Sequence, residues 1–80
     1  MQRLINASNR TVGAKQTKKL LENGQAQVVY IAEDAEEHVI APLLHLCNKK
    51  NIEVVYVDSM KELGKLCGIK VGAATATISK

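Results

Sequence analysis

The sequence predicts an α/β fold, a three-layer α/β/α sandwich built on a small mixed, mostly parallel sheet. Two continuous apolar runs rich in β-branched residues, at 27–32 and 51–57, indicate strands of the buried type. Roughly 20 residues separate them, enough for a crossover helix, which makes the two strands parallel neighbours. Strands that alternate with helices favour a sheet covered on both faces. A chain of 80 residues allows one domain, spanning 1–80.

The first part of the chain predicts a short helix, an edge strand and a second helix. Residues 2–7 favour the short helix, and residues 9–12 end in β-branched side chains typical of a strand. Gly13 then opens a helix that runs to Asn23 and stops at Gly24, because glycine commonly ends a helix.

The crossover between the two apolar runs is predicted to be an interrupted helix. Asp34 and Glu37 have the spacing of a capping box at its start. Pro42 lacks a backbone donor and crowds the preceding turn, but it suits the first position of a helix. We therefore expect a loose first turn, followed by a regular helix over residues 42–50.

The last third of the chain predicts a second crossover and a final strand. Ser59 and Glu62 form a clear capping box, and the helix that they start ends at Gly68. Residues 68–72 form a loop, and the small and β-branched residues 73–79 form the last strand. Glycine recurs at every fourth position here, which indicates a closely packed helix and tight loop geometry.

Composition excludes some modes of nucleic-acid binding and polarises the charge. The chain has no Phe and no Trp, which argues against base stacking on an aromatic platform of the RRM or OB type. The net charge is +3, with four acidic residues concentrated in 33–37. Residues 1–19 hold five cations and no acid: Arg3, Arg10, Lys15, Lys18 and Lys19.

The helix that starts at Gly13 breaks a local electrostatic rule. A helix N-terminus prefers carboxylates, yet this one carries Lys15, Lys18 and Lys19 with no acid before Glu22. Lys15 and Lys19 are also a like-charge pair one turn apart, which costs about 0.2–0.5 kcal/mol. A local rule broken in one place indicates a functional surface, and a solvated basic face is the alternative interpretation.

Catalytic, metal and membrane functions find little support. Cys47 and Cys67 lack CxxC spacing and read as buried thiols of a cytoplasmic protein. His38 and His45 fall on an outer helix face without a third ligand, so we expect no metal and no cofactor. The acidic residues 33–37 favour helix capping over a Mg²⁺ or acid–base site, and a third interpretation is that a carboxylate accepts hydrogen bonds from an extruded base. No apolar run is long enough for a membrane span.

Several stretches together resemble the kink-turn-binding ribosomal protein superfamily, the L7Ae/L30e group, and most closely its small bacterial YbxF-type branch. The order and spacing of these stretches carry the resemblance, which covers nearly the whole chain: residues 13–19 with Gly24, 31–35, 42–47, 56–59 and 63–69. It implies an α/β/α sandwich that binds a sharply bent internal loop of RNA flanked by tandem sheared G·A pairs.

The resemblance also implies roles for individual residues. Gly13 would let the backbone approach the RNA, Glu36 and Ile40 would line a pocket for a flipped-out nucleotide, and three segments would make the contacts: Gly13 with Lys15, Gln16, Lys18 and Lys19; Glu36 with Ile40; and Ile69, Lys70 and Val71 over the unstacked bases. Lys15 and Gln16 depart from the family's usual Asn-Glu pair, and two outcomes stay open: the pair keeps the family's base readout, or it trades part of that readout for charge. Met60, followed by Lys61, stands where many relatives place a lysine.

The sequence therefore predicts a non-enzymatic RNA-binding protein that recognises and stabilises kink-turns in ribosomal or regulatory RNA. Its expected partner is structured RNA, with the ribosome as a further candidate, and it is expected to act as a monomer in the cytoplasm. Two alternatives stay open: an RNA-substrate-binding subunit of a larger RNA-modifying enzyme, and a ribosome-associated protein-interaction module.

Overall fold

The computed structural model describes residues 2–80, so Met1 of the predicted domain lies outside it. Within these residues, helices and strands follow one another in the order α1 (Gln2–Asn6), β1 (Arg10–Val12), α2 (Ala14–Glu22), β2 (Ala26–Ala32), α3 (Glu37–Lys50), β3 (Glu53–Val57), α4 (Met60–Leu66) and β4 (Thr75–Ser79). The predicted α/β fold with a mixed sheet is confirmed.

The sheet has the strand order β1-β4-β2-β3, and its central strand β4 runs against both neighbours. Strands β2 and β3 are parallel, as predicted, with Tyr30 opposite Val55. The expectation of a mostly parallel sheet is corrected, because two of the three pairings are antiparallel.

The reversal of β4 arises in the loop that follows α4. The N–H of Ile69 donates to the carbonyl of Gly64 at 3.0 Å, and the N–H of Ala73 donates to that of Met60 at 3.0 Å. The loop thus runs back along the helix to the end where the helix began. Helix α4 is therefore no crossover, and β4 enters the sheet from the end at which β3 leaves it.

Helices cover both faces of the sheet and make the predicted three layers. One core lies beneath α2 and α3, and the other lies beneath α1 and α4. A bulge at Gln27 shifts the alternation of β2, so that Ala26 faces the α2–α3 layer and Val28 faces the other. Because β2 lies inside the sheet, side chains of both its faces are buried: Val29 and Ile31 on one side, Val28, Tyr30 and Ala32 on the other.

Strand β3 differs from the buried strand that the sequence predicts. It pairs only with β2, so it is an edge strand. Val57 is buried, but Tyr56 is 52% exposed. Tyr56, Val54 and Leu44 of α3 line a shallow groove along this edge.

Helix α3 passes through Pro42 without a break, contrary to the predicted loose turn. Pro42 lacks the N–H that would bond the carbonyl of His38. Both residues are exposed, so water can reach that carbonyl and the helix continues. Glu36, rather than Asp34, is the N-cap residue, and no side chain caps this helix.

Candidate nucleic-acid interface

Four strand ends lie together at one end of the sheet, beside the loops that lead into α2, α3 and α4. Three backbone hydrogen bonds align these strand ends: Gly13 N to Thr75 O at 2.9 Å, Ala32 N to Ala74 O at 2.9 Å, and Glu33 N to Val57 O at 2.8 Å. The exits of β1, β2 and β3 and the entry of β4 therefore lie side by side. Helices α2, α3 and α4 all begin at this end, which we call the loop end.

The N-terminus of α2 is open. Gly13 is its N-cap residue with a φ of 113°, a conformation that favours glycine, and a Cβ placed there would meet no atom within 4 Å. Among the described residues 2–80, no side chain caps this helix. Its first backbone N–H groups, at Ala14, Lys15 and Gln16, have no partner within the helix and point away from its end. This end is therefore a ready site for an anion.

The lysines of α2 lie along its exposed face, from Lys15 in the first turn to Lys19 in the last. Lys15, Lys18 and Lys19 are exposed and line a surface depression together with Glu22. Within residues 2–80, no ion pair joins any of the three to a carboxylate. The charge of Lys15 adds to the positive end of the helix dipole. Gln16, also exposed, lies on the same open first turn.

The two arginines of the basic segment serve the fold. Arg3 pairs with Glu53 at 3.0 Å. Arg10 donates to the carbonyl of Ile5 at 2.9 Å and contacts those of Leu4 and Ala7, which satisfies the C-terminal end of α1. The structure thus separates the five cations that the sequence groups, and it leaves the three lysines of α2 exposed to solvent.

Buried hydroxyl groups fix α2 on the sheet. Thr17, on the inner face of the helix, is fully buried together with Thr75 and Thr77 of β4. The Oγ1 of Thr77 donates to the Oγ1 of Thr17 at 2.7 Å, and the Oγ1 atoms of Thr17 and Thr75 are 3.1 Å apart. With Thr17 inside, the lysine side chains are directed outward.

The second predicted segment follows β2. Glu36 is exposed at the start of α3, with its Oε2 3.3 Å from the Nδ1 of His38. Ile40, one turn further, is half-buried and packs against both cores. The Glu36 carboxylate, at the end of the loop, is accessible as a hydrogen-bond acceptor, and Ile40 supplies an apolar surface one turn away.

The acidic cluster has a structural role that the sequence assigns to the wrong helix. The Oδ1 of Asp34 accepts a hydrogen bond from the N–H of Met60 at 2.7 Å, at the first residue of α4. The Oγ of Ser59 accepts from the N–H of Glu62 at 3.0 Å, as its capping box predicts. Asp34 therefore caps α4, not α3, and lies 26 residues away from Met60 along the chain.

The third predicted segment is the loop after α4. Val71 is 71% exposed and Ile69 is 36% exposed, with the exposed Lys70 between them. Close packing holds this apolar tip in place, because a Cβ at Gly64 would lie 2.1 Å from the carbonyl oxygen of Val71. The predicted effect of the glycine spacing, a closely packed helix and a tight loop, is confirmed.

The ten predicted site residues thus fall into three segments, of which those at the starts of α2 and α3 lie at the loop end, on one face of the sheet. The loop after α4 lies on the other face and reaches the loop end at Ala73 and Ala74, whereas Ile69 lies beside Gly64, further along α4. Met60 lies at the start of α4, where Asp34 and Ala73 contact its backbone. Sequence reasoning missed this bridge, because no local pattern marks a contact between residues so far apart.

Few of the described side chains suit catalysis or metal binding. No group of three or more His, Cys, Asp or Glu side chains within residues 2–80 could hold a metal ion. Burial raises the pKa of the Cys47 and Cys67 thiols, which makes them weaker nucleophiles at neutral pH. Within the same residues, every helix falls short of the length and hydropathy that a membrane span requires.

Two similar proteins both carry the name RNA-binding protein. An RNA-binding protein of Caldanaerobacter subterraneus subsp. tengcongensis is 58% identical over 67 residues, which cover 84% of this chain and 82% of the relative. The RNA-binding protein YbxF of Geobacillus stearothermophilus is 42% identical over 77 residues, covering 96% of this chain and 94% of that protein. The resemblance to the YbxF-type branch is confirmed.

Solved structures share the fold. The 15.5 kD RNA-binding protein of Giardia lamblia superposes with a TM-score of 0.87 at 28% identity, covering 99% of this chain and 67% of that one. A protein of unknown function from Bacillus halodurans gives a TM-score of 0.84 at 26% identity, covering 96% and 77%. The sequence model of the ribosomal protein L7Ae/L30e/S12e/Gadd45 family matches residues 2–80. On these grounds the chain belongs to the ribosomal protein L7Ae/L30e/S12e/Gadd45 family.

Proposed function

We propose that this protein binds structured RNA without catalysing a reaction, and that it recognises and stabilises kink-turns, bent internal loops with tandem sheared G·A pairs. The observation that carries the proposal is the open, lysine-bearing start of α2. The names of the relatives from Caldanaerobacter and Geobacillus, both RNA-binding proteins, support the choice of RNA over other anions.

The shape of the surface favours a bent RNA over a regular helix. The deep, narrow groove of A-form RNA excludes side chains, whereas a kink opens the groove and crowds phosphates together. An α-helix that enters such a groove meets phosphate oxygens with free N–H groups and with Lys15, Lys18 and Lys19. Tyr30 is buried, so the protein lacks the set of exposed aromatic rings that single-stranded RNA usually stacks on.

Helix α2 makes three kinds of contact with the RNA, to phosphates, to guanine acceptors and to a base edge. Lys18 and Lys19 neutralise phosphates, and Lys15 offers a point charge to phosphate or to the O6 and N7 acceptors of guanine. The Gln16 carbonyl accepts from a base edge more weakly than a carboxylate does.

The other two segments supply an acceptor and an apolar cover. The Glu36 carboxylate and Ile40 receive a flipped-out nucleotide, and Ile69 and Val71 cover unstacked bases. Both apolar side chains of the loop are exposed in the free protein, and binding would remove them from water. We expect the protein to act as a monomer, in the cytoplasm, on ribosomal or regulatory RNA.

The decisive experiment compares two RNAs of equal length and charge. One carries a kink-turn, and in the other the tandem G·A pairs are replaced by Watson–Crick pairs. We expect the affinity for the kink-turn to be at least about 10³-fold higher, the lower bound of specific over non-specific nucleic-acid binding. Equal affinity for the two RNAs would remove kink-turn recognition from the proposal.

A matched pair of lysine variants tests the docking surface. Lys19→Ala weakens kink-turn binding about tenfold, the worth of one charge-assisted hydrogen bond. It also lowers the slope of log affinity against log salt by about one. Lys50→Ala makes the same charge change at the last residue of α3, away from the loop end, and leaves both quantities unchanged. Equal losses in the two variants would show that α2 does not dock the RNA.

A further inference from the structure

We infer that Asp34 is a positioning residue of this interface, which joins the loop that carries Glu36 to the loop that carries Ile69 and Val71. The inference rests on the proposed function. Its starting observation is the 2.7 Å hydrogen bond from the N–H of Met60 to the Oδ1 of Asp34. This bond crosses from the loop after β2 to the start of α4, that is, from one predicted segment of the interface toward another.

Met60 carries the connection onward. Its carbonyl oxygen accepts the N–H of Ala73 at 3.0 Å, so the same residue holds both Asp34 and the returning loop. A Cβ at Gly72 would lie 3.2 Å from the Cβ of Met60, which shows how closely the loop packs on it. The contact series Asp34–Met60–Ala73 therefore links the two loops through Met60, beside the backbone hydrogen bond from the N–H of Ala32 to the carbonyl of Ala74.

The far end of the loop is fixed to the same helix. The N–H of Ile69 donates to the carbonyl of Gly64, and Gly64 leaves no space for a Cβ beside Val71. Helix α4 thus acts as a rigid support on which the apolar tip is mounted. Without Asp34, this support loses its side-chain hydrogen bond to the loop of Glu36, and the relative position of the two contact segments is held less tightly.

A preformed arrangement matters because ordering loops during binding costs affinity. An interface made of separated segments binds a rigid RNA fold best when the segments are already in register. The carboxylate of Asp34 points at a helix N-terminus, so it also stabilises α4 as any cap would. Ser59 is the matched residue for that ordinary role, because it caps the same helix from within its own segment.

The experiment compares Asp34→Ala with Asp34→Asn. Each removes one negative charge, raising the net charge of +3 by one, so electrostatic attraction to RNA changes equally in both. Asparagine keeps the Oδ1 acceptor, and alanine does not. We expect Asp34→Ala to bind a kink-turn about fivefold more weakly than Asp34→Asn, as for loss of one hydrogen bond between neutral groups. The affinity of Asp34→Asn for the kink-turn remains close to that of the unsubstituted protein.

A second measurement separates positioning from stability. Ser59→Ala lowers the midpoint of thermal unfolding much as Asp34→Ala does, since both remove a cap of α4. Only Asp34→Ala speeds hydrogen exchange at the Ala73 amide of the free protein, and only it loses kink-turn affinity. The amide of Val29, in the central strand β2, exchanges through global unfolding. In both variants its exchange rate therefore changes only by as much as the global unfolding equilibrium does.

Two outcomes overturn different statements. If the unsubstituted protein fails to distinguish a kink-turn from its G·A-replaced counterpart, the proposed function is wrong, and this inference falls with it. If that selectivity holds but Asp34→Ala and Asp34→Asn bind equally well, or Ser59→Ala loses as much affinity as Asp34→Ala, Asp34 has no positioning role and only this inference is overturned.

Discussion

Helices α2 and α4 begin at the same end of the sheet, yet their first turns are built in opposite ways. Helix α4 has two capping oxygens, from Ser59 and Asp34, and an acidic residue, Glu62, in its first turn. In the part of the chain that the structure describes, helix α2 has neither a side-chain cap nor an acid in its first turn, which carries Lys15 instead. One N-terminus is satisfied within the protein, and the other is left with unpaired donors and like charges.

The difference shows how a small fold separates stability from binding. The donors of α4 are used internally, and the helix supports a loop. Those of α2 remain open to the proposed ligand, and the helix is held from beneath by its buried Thr17. The proposed binding site requires unsatisfied groups, so the first turn of α2 is left uncapped, whereas two side chains cap the first turn of α4.

The largest expected effect tests the rigidity of α4. Gly64→Ala places a Cβ against the carbonyl oxygen of Val71, which must move, and we expect a loss of about 3 kcal/mol in the free energy of unfolding. Gly24→Ala is the control: its φ of 69° is strained for alanine, but the space is open, so it loses only about 1 kcal/mol. Urea unfolding measures both. A loss at Gly64 no greater than that at Gly24 would mean that the loop yields easily.

A smaller effect tests how α2 is held. Thr17→Val keeps the shape of the side chain but removes the hydroxyl that the Oγ1 of Thr77 donates to, and we expect a loss of about 1.5 kcal/mol for the unpaired buried groups. The comparison is Thr11→Val in β1, where the side chain is only half-buried and the change stays within about 0.5 kcal/mol. Urea unfolding again gives the values. An unchanged stability for Thr17→Val would assign the placement of α2 to apolar packing alone.

The smallest effect on stability sharpens the contrast most. Lys15→Glu gives α2 the acid in its first turn that α4 already has, and it turns a repulsive pair with Lys19 into an attractive one. We expect a gain of about 0.5 kcal/mol in the free energy of unfolding, together with weaker RNA binding. Lys49→Glu makes the same charge change in the last turn of α3, where the dipole is reversed, so it destabilises by a similar amount. A stability loss for Lys15→Glu would contradict the reading of α2 as an end that is kept unsatisfied for its ligand.

Features with a short reach along the chain could be predicted from sequence. The extent of α2, the parallel pairing of β2 with β3, and the capping box of Ser59 each follow from patterns or spacings over a short stretch of chain. The open N-terminus of α2 was also visible, because an excess of Lys15, Lys18 and Lys19 over acids can be counted.

Features that depend on distant partners could not be predicted. The direction of β4 follows from a loop that packs back on α4 through Gly64 and Met60, and no local signal distinguishes such a loop from a crossover. Asp34 fits a capping box in sequence, but its partner is an N–H 26 residues away. The sequence groups Arg3 and Arg10 with the lysines of the basic segment. Their contacts with Glu53 and with the carbonyls of α1 join residues whose pairing no local pattern marks.

The position of β4 in the sheet has a consequence for the order of folding. Of the four strands, β4 is synthesised last, yet it lies between β1 and β2 and is the only strand that pairs with β1. While the chain emerges, β1 has no partner in the sheet, and Thr17 of α2 has neither Thr75 nor Thr77 beneath it. Such non-local pairing slows folding, because the loop must close before any contact rewards it. The lysine-bearing helix therefore gains its buried hydroxyl partners only when the last strand inserts, which makes the proposed RNA binding a report on completed folding.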